Sequence, residues 1–307
     1  MTRSPVALGL LASSLFSATF IVNRAIGLSG GHWYWTAALR YIWVILLLAA
    51  WFSARRELGA VFRAFRAHWI FWVIAGSIGV GAFYAPLTYA TTRAPGWIVA
   101  CTMQLTILAT PLVLLVFGEH VRRSGVLFLL LIFAGVVMVN VDRGGGASTA
   151  QVLGVLPVLI AAFAYPMGNQ LVQAAGTGGH RLIPALEDPI TRGGTARVLL
   201  LTLGSIPFWF VLEAIAQPPL PPRQQWLGTL IVAICGTIGN AIFLYARQLV
   251  GRDANAIARV DATQASYTAV TLGGEVLLLN AALPHALGFA GLALVIGGLA
   301  AYARKGS

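Results

Sequence analysis

Long apolar runs constrain the fold of this chain more than any other feature. We identify ten, at residues 5–28, 33–52, 68–91, 95–117, 124–141, 151–175, 195–217, 224–250, 255–280 and 285–303. A helix that crosses the hydrocarbon layer of a membrane needs ~20 mainly apolar residues. The sequence therefore predicts an all-α integral membrane protein with ten transmembrane helices. The first run is interpreted as a retained span, with a cleaved signal peptide as the alternative.

The composition excludes a soluble globular protein and an intrinsically disordered one. Of 307 residues, 58% are hydrophobic and 9% are charged, against a charged share of roughly 25% in soluble domains. So apolar a chain is not intrinsically disordered either. The net charge of +11 would suggest a nucleic-acid partner in a soluble protein, but here we expect none. Cys101 and Cys235 lie within apolar runs and are expected to be buried thiols, so neither a metal site nor a cofactor is predicted.

The basic residues predict how the protein is oriented in the membrane. Successive helices alternate in direction, and cytoplasmic loops carry the excess of Lys and Arg. Fourteen basic residues fall on the side of the two termini: Arg3, Arg55, Arg56, Arg63, Arg66, Arg122, Arg123, Arg181, Arg192, Arg197, Arg247, Arg252, Arg304 and Lys305. Only Arg93, Arg143 and Arg223 fall on the other side. Both termini are therefore expected to face the cytoplasm.

The segment 53–67 has an amphipathic pattern between the second and third runs. Leu58, Val61, Phe62 and Phe65 share one helical face between arginines. This pattern predicts a short interfacial helix on anionic headgroups, with membrane lipids as its partners.

The two halves of the chain resemble each other at an offset of 156 residues. Residues 117–119, Phe-Gly-Glu, correspond to residues 273–275, Gly-Gly-Glu. The same offset places Tyr89-Ala90 on Tyr245-Ala246. Two separate features thus agree without gaps, which indicates an internal duplication.

The helix after each Gly-Glu turn extends this correspondence. Each helix has two glycines ten residues apart, Gly125 and Gly135 in the first half and Gly288 and Gly298 in the second. The turn before the helix is seven residues longer in the second half. The sequence therefore predicts two five-helix repeats, 1–150 and 151–307. An odd number of helices inverts the second repeat relative to the first, as in many secondary transporters that work by alternating access.

These residues resemble the drug/metabolite transporter superfamily, in its ten-helix EamA-like type. The superfamily's repeat signature, a proline before a Gly-Glu turn and then a glycine-marked helix, is similar to Pro111, Gly118, Glu119, Gly125 and Gly135. Within the superfamily the chain is most similar to the multidrug resistance efflux transporters, over TFIVNRAIGLSGGHWYWTAALRY at 19–41 and FYAPLTYATTRAPGWIVACTMQLTI at 83–107. The resemblance implies a bacterial inner-membrane exporter of small organic molecules.

The chain departs from the family pattern in two places. Tyr267 stands where the proline of the second repeat would align. The first and sixth runs contain no acidic residue, whereas the small four-helix pumps of this group use a glutamate in their first helix. Their cation-for-proton exchange is therefore not transferred to this chain by position.

Three arginines fall within the predicted spans, where a charge is costly and indicates function by default. Arg40 lies seven residues into the second run, ~10 Å along the helix. It is expected to bind substrate, with a structural ion pair as the alternative. Arg24, beside Asn23, is expected either to contact a ligand or to reach the outer headgroups. Arg259 belongs to a polar set in the ninth run.

The ninth run also holds both candidates for proton coupling. Asp261 shares a helical face with Gln264 and Thr268 and is the preferred coupling residue, with a structural ion pair as the alternative. Glu275 is the second candidate. Because it matches Glu119 at the repeat turn, a role in hydrogen bonding or capping a helix end is favoured for it.

Further polar and aromatic side chains are predicted to line a substrate cavity. They lie within the runs or, for the tryptophan, at the start of one: Tyr84, Trp97, Gln104, Tyr165, Asn169, Asn240, Gln264 and Tyr267. Tyr84 and Asn240 are related by the offset of 156, which favours a shared central site. Interhelical hydrogen bonding is the alternative role for the amides.

Four prolines within the runs are expected to free backbone carbonyls and to kink or break helices: Pro86, Pro157, Pro166 and Pro207. Such breaks are tolerated in a membrane where they line a cavity.

The predicted function is export of small organic molecules, driven by a proton gradient or by the substrate's own gradient. No phosphate-binding G-x-x-x-x-G-K-[ST] motif is present, so ATP is not the expected fuel. An amino-acid or other metabolite exporter without multidrug activity is the alternative. A membrane enzyme is less favoured because the five histidines are scattered along the sequence and do not form a cluster.

The charge of the substrate is left open by the sequence. The arginines favour anions or zwitterions, whereas the acidic and aromatic residues favour organic cations. A monomer is compatible with this architecture.

Overall fold

The chain folds into a bundle of helices. The computed structural model describes residues 4–118, 126–142, 155–178, 182–250, 256, 259–260 and 262–305, with backbone alone for 126 and 302–305. Within these ranges all regular structure is helical, which confirms the all-α prediction there.

The helices of the first half are α1 (Pro5–Leu28), α2 (Trp33–Ala54), α3 (Leu58–Ala67), α4 (Trp69–Gly76), α5 (Phe83–Arg93), α6 (Gly96–Met103), α7 (Thr106–Val116) and α8 (Val126–Val141). A π-helical segment, Ser77–Ala82, joins α4 to α5. The helices of the second half are α9 (Pro157–Thr177), α10 (Gly194–Gly204), α11 (Ile206–Ala216), α12 (Arg223–Leu249), α13 (Ser266–Leu279) and α14 (Ala286–Lys305).

Six helical stretches are long and apolar enough to cross a membrane: Pro5–Leu28, Trp33–Ala54, Trp69–Arg93, Gly96–Val116, Gly194–Ala216 and Arg223–Leu249. Two shorter apolar helices, Leu127–Val141 and Ala286–Ala301, occupy the fifth and tenth predicted runs. The sixth and ninth runs contain α9 and α13. The chain is therefore a multi-pass membrane protein, while the count of ten spans and the side of the termini stay predictions.

The prolines explain where several helices begin or deform. Pro86 lies within α5, directly after the π-helical segment, and cannot donate a hydrogen bond to the carbonyl of Ala82. Pro166 lies within α9. Pro157 and Pro207 instead stand in the first turns of α9 and α11, where a missing N–H costs little. The carbonyl that Pro157 would free belongs to residue 153, which lies outside the described residues.

Helix α3 confirms that a short amphipathic helix follows the second run. Val61 and Ala64 are buried, and Leu58 and Phe65 are half-buried. Phe62, predicted on the same face as Val61, is instead 47% exposed. Contact of α3 with lipid headgroups stays a prediction.

In each of the main packing contacts, one helix comes from the first half of the chain and one from the second half. Helix α1 packs along α12, while α9 packs along α5 and the π-helical segment. Likewise α2 packs on α12, and α10 packs on α4. Helices α8 and α14 pack against each other over much of their length.

Two glycines at the α8–α14 contact have matching surroundings. A Cβ atom on Gly135 would lie 2.8 Å from Cγ2 of Val295, and a Cβ atom on Gly298 would lie 2.9 Å from Cγ1 of Ile132. Gly298 and Val295 each lie 163 residues after Gly135 and Ile132. Because neither position has room for a side chain, glycine permits the close approach of the two helices.

Candidate functional site

One polar group of residues lies deep in the bundle and is built around Arg40; we call Arg40, Tyr41, Tyr84 and Asn23 the inner cluster. The guanidinium carbon of Arg40 lies 4.0 Å from the ring centroid of Tyr84 and 5.3 Å from that of Tyr41. A cation held over an aromatic face is stabilised by ~2 kcal/mol or more when it is desolvated. The arginine charge is thus met by aromatic rings.

A hydrogen bond and a glycine bring two further helices to Arg40. Asn23 of α1 donates from Nδ2 to the Tyr84 hydroxyl at 2.9 Å. A Cβ atom on Gly236 would lie 2.5 Å from Nη2 of Arg40, so the guanidinium rests against bare backbone there. Gly236 is the centre of α12, thirteen residues from either end. Helices α1, α2, α5 and α12 therefore meet at Arg40, and they come from both halves of the chain.

Two buried polar atoms of the inner cluster have no hydrogen-bond partner in the part of the chain that the structure describes. They are Nε of Arg40 and Oδ1 of Asn23. Leaving such an atom unpaired costs roughly 1–3 kcal/mol. The one ion pair among the described residues, Arg55 with Glu57 at 3.8 Å, is exposed and excludes Arg40.

Aromatic side chains surround the inner cluster. The ring of Tyr41 stacks on Trp209 of α11 with centroids 5.8 Å apart and meets Tyr84 edge-on at 5.4 Å. Tyr165 of α9 contacts Phe83 at 5.0 Å. The side chain of Tyr165 is 41% exposed, so it lies at the edge of this aromatic group.

Gln104 and Tyr267 lie at a neighbouring contact between α6 and α13. Gln104 stands at the break between α6 and α7, and its Nε2 is 3.4 Å from the hydroxyl of Thr268. Tyr267 stacks on Phe20 with centroids 5.7 Å apart. Both side chains are buried. This arrangement includes the interhelical hydrogen bond that was the alternative role for the amide.

A second polar group lies near the ends of α1, α5 and α13; we call Arg24, Thr91, Gly96, Trp97 and Glu275 the outer cluster. The carboxylate of Glu275 is fully buried and accepts the backbone N–H of Gly96 at 2.7 Å and that of Trp97 at 3.2 Å. These are the first two N–H groups of α6, which have no partner within their own helix. Glu275 therefore caps α6, in the favourable field of the helix N-terminus.

Arg24 completes the outer cluster. Its Nη1 donates to the carbonyl of Thr91 at 2.9 Å, and its charge attracts Glu275. A Cβ atom on Gly96 would lie 2.7 Å from Oε1 of Glu275, so glycine leaves room for the carboxylate. The indole Nε1 of Trp97 is buried without a hydrogen-bond partner among the described residues. The outer cluster thus joins α1, α5, α6 and α13.

The other predicted residues lie apart from these hydrogen bonds. Asn169 and Arg259 are exposed, and Asn240 and Gln264 are half-buried. Asp261, the preferred coupling residue, lies outside the described residues.

Tyr41, Trp209 and Gly236 belong to the inner cluster or its surroundings but were absent from the predicted site. The position of Tyr41 directly after Arg40 was the one available signal. Trp209 and Gly236 lie in nearly uniformly apolar stretches, where the sequence does not distinguish the inward face.

Comparison with known proteins identifies one family over nearly the whole chain. A family model described as "EmrE: Putative multidrug resistance efflux transporter" matches residues 3–306. The uncharacterized protein YjlA of Bacillus subtilis (strain 168) is 34% identical over 312 residues, covering 96% of this chain and 92% of YjlA.

A second relative and one solved structure are also similar to this chain. An uncharacterized 42.1 kDa protein of Shouchella clausii, from the intracellular alkaline protease 3′ region, is 35% identical over 252 residues. That alignment covers 78% of this chain and 63% of the relative. One solved crystal structure matches 98% of this chain and 96% of its own, with a TM-score of 0.61. At 19% identity, this likeness shows a shared fold alone.

Proposed function

Because this chain belongs to the EmrE-like multidrug resistance efflux transporter family, we propose that it is a secondary-active exporter that binds small organic molecules at the inner cluster. The observation that carries this proposal is the unpaired Nε of Arg40, buried where helices of both halves meet. A charge inside a membrane protein is expensive and is typically retained for function. A substrate that pairs with Arg40 would offset that cost.

The proposed mechanism is alternating access by two inverted repeats, residues 1–150 and 151–307. The matching contacts of Gly135 and Gly298 support a pseudo-twofold relation between α8 and α14. Their spacing of 163 residues equals the offset of 156 plus the seven extra residues of the second turn. In such folds one repeat moves against the other around a fixed site near the midplane. The central position of Gly236 in α12 supports that depth for Arg40.

The proposed orientation has both termini in the cytoplasm of a bacterial cell, with the protein in the inner membrane. The bias of fourteen basic residues to three supports it. The outer cluster then lies toward the extracellular side, and the exposed Arg63 and Arg66 of α3 face cytoplasmic headgroups.

Proton coupling is proposed for Asp261, with Glu275 as the second candidate. Both oxygens of Glu275 already accept backbone N–H groups, which supports a structural role for that residue. Asp261→Asn should abolish proton-driven uptake but leave downhill exchange. Transport that keeps its full dependence on a pH gradient in Asp261→Asn would exclude Asp261 as the coupling group.

The exporter proposal is tested with purified protein in liposomes, using organic cations, organic anions and amino acids with and without a pH gradient. We expect flux of at least one class, and we expect Arg40→Gln to remove it. Arg55→Gln is the matched control, because it removes one charge from the cytoplasmic end of the same helix. Absence of flux for every class, in protein shown to be folded, would contradict the proposal.

A further inference from the structure

The inner cluster has a net positive charge in the part of the chain that the structure describes. Arg40 is its one ionised group, and its described partners are the rings of Tyr84 and Tyr41. A charge in a low-dielectric interior acts strongly on any ion that enters. The cluster therefore attracts anions and repels organic cations.

The free atoms of the inner cluster define what a ligand must offer. Nε of Arg40 is an unused donor, and the guanidinium group matches the geometry of a carboxylate. Oδ1 of Asn23 is an unused acceptor. The Asn23 amide is held in orientation, because its Nδ2 already donates to the Tyr84 hydroxyl at 2.9 Å. A complementary ligand has a negatively charged acceptor and one hydrogen-bond donor.

Both free atoms belong to side chains that contact Tyr84. Arg40 lies over the ring of Tyr84, and Asn23 binds the hydroxyl of the same side chain. The stacked rings of Tyr41 and Trp209 lie alongside and provide an apolar wall.

The buried carboxylate of Glu275 is already occupied. A site for organic cations needs a carboxylate with free oxygens, but each oxygen of Glu275 accepts a backbone N–H, at 2.7 and 3.2 Å. Arg24 also attracts this carboxylate. Glu275 is thus engaged in holding α6, and its charge is compensated locally.

We propose that the inner cluster selects small organic carboxylates that also carry a hydrogen-bond donor, and that it rejects organic cations of the same size. The ligand carboxylate pairs with Arg40, and its donor binds Oδ1 of Asn23. This proposal rests on the exporter function, whose substrate class it specifies.

The test uses three probes that share one carbon skeleton: phenylalanine, 3-phenylpropionate and phenethylamine. Binding to the purified full chain in lipid nanodiscs is measured by calorimetry, at probe concentrations up to ~10 mM, enough to fill a site of millimolar Kd. We expect phenylalanine to bind best, 3-phenylpropionate to bind more weakly, and phenethylamine not to bind. The comparison of probes needs no variant, so it holds even if a substitution impairs folding.

Substitutions of Arg40 and Asn23 then test which part of the ligand each residue binds. Arg40→Gln should weaken binding of both carboxylates at least tenfold, and Arg40→Lys should have an intermediate effect because it keeps the charge but not the fork of N–H groups. Asn23→Ala should weaken phenylalanine and leave 3-phenylpropionate unchanged. Arg55→Gln, on the same helix, should change neither.

Two results would overturn the proposal: binding of phenethylamine in preference to both carboxylates, or no binding of either carboxylate to folded protein. Liposome flux separates this failure from failure of the exporter function. Flux of cations alone would contradict the carboxylate class and support an exporter. Carboxylate binding without flux of any solute would support the site and contradict the exporter.

Discussion

Two arginines in neighbouring helices of this membrane protein have opposite surroundings. Arg24 donates to the carbonyl of Thr91 and faces Glu275, whose oxygens accept the N–H groups that open α6. Arg40 lies against aromatic rings and a glycine, and its Nε has no partner among the described residues. The charged groups of the outer cluster are paired within the protein, whereas the charged group of the inner cluster has a donor, Nε of Arg40, without a partner among the described residues.

Position along the helices explains the difference. Free backbone N–H and carbonyl groups occur at helix ends, because the first and last turns lack intrahelical partners. The outer cluster uses such groups at the end of α5 and the start of α6. Gly236, which faces Arg40, lies at the centre of α12, where backbone groups already bond within the helix. A charge at that depth is met by side chains or by substrate.

The largest expected difference is between Arg40→Met and Arg24→Met. Arg40→Met should reduce flux by ~100-fold or more, because a paired charge in a desolvated site contributes ~2–5 kcal/mol. Its thermal stability should change little, because loss of the contact with the rings of Tyr84 and Tyr41 is offset by removal of an unpaired buried polar atom. Arg24→Met should lower stability by roughly 2 kcal/mol through loss of a charged hydrogen bond. Flux in liposomes and thermal unfolding check both variants, and equal destabilisation would contradict the contrast between the clusters.

Glu275→Gln should have the next largest effect, on stability. Glutamine loses the charge, and its amide group cannot accept the second backbone N–H of α6. We expect a loss of about 2 kcal/mol in thermal or denaturant unfolding. Flux per folded molecule should keep its pH dependence. Loss of that pH dependence at unchanged stability would assign proton coupling to Glu275 instead.

Features that depend on position along the chain were predictable from the sequence. The depth of Arg40 follows from its place in an apolar run, and the helix-end role favoured for Glu275 follows from its match to Glu119 at a turn. The apolar runs also predicted the six clear spans. Each of these needs only local periodicity or an internal repeat.

Contacts between helices were not predictable in the same way. The Asn23–Tyr84 bond joins residues 61 positions apart, and the Tyr41–Trp209 stack depends on how two apolar helices are rotated. A helix that is apolar all round gives no sign of which face turns inward. The offset of 156 residues likewise predicts that Tyr84 and Asn240 occupy equivalent positions in two repeats. It does not predict that the two side chains touch.

A smaller effect is expected for Tyr84→Phe, which separates two parts of the inner cluster. The ring that faces Arg40 remains, but the hydroxyl that accepts from Asn23 is lost. Loss of one neutral hydrogen bond costs ~1 kcal/mol, or about fivefold in the Kd of phenylalanine. Tyr84→Leu, which also removes the ring, should weaken binding further. Tyr245→Phe is the control, because that side chain is 48% exposed. Equal effects of Tyr84→Phe and Tyr245→Phe would contradict the assigned role of the hydroxyl.

The smallest expected effect concerns His32, which precedes α2 outside the apolar span. Its Nδ1 accepts the backbone N–H of Tyr34 at 3.3 Å and caps the helix. Burial lowers the pKa of His32 from its ordinary value, so the unfolded chain binds the proton more readily. This contribution to stability is therefore complete above pH ~6.5 and is lost as the pH falls below it.

His32→Asn keeps a capping acceptor that does not titrate, so it should flatten the thermal stability profile between about pH 7.5 and pH 5. Unfolding midpoints of the wild type, His32→Asn and Glu275→Gln across that range separate the two possible sources of pH dependence. If Glu275→Gln flattens the profile and His32→Asn does not, the titrating group lies in the outer cluster. Glu275 would then exchange its proton, and the distinction between paired charges in the outer cluster and an unpaired charged donor in the inner cluster would fail at that residue.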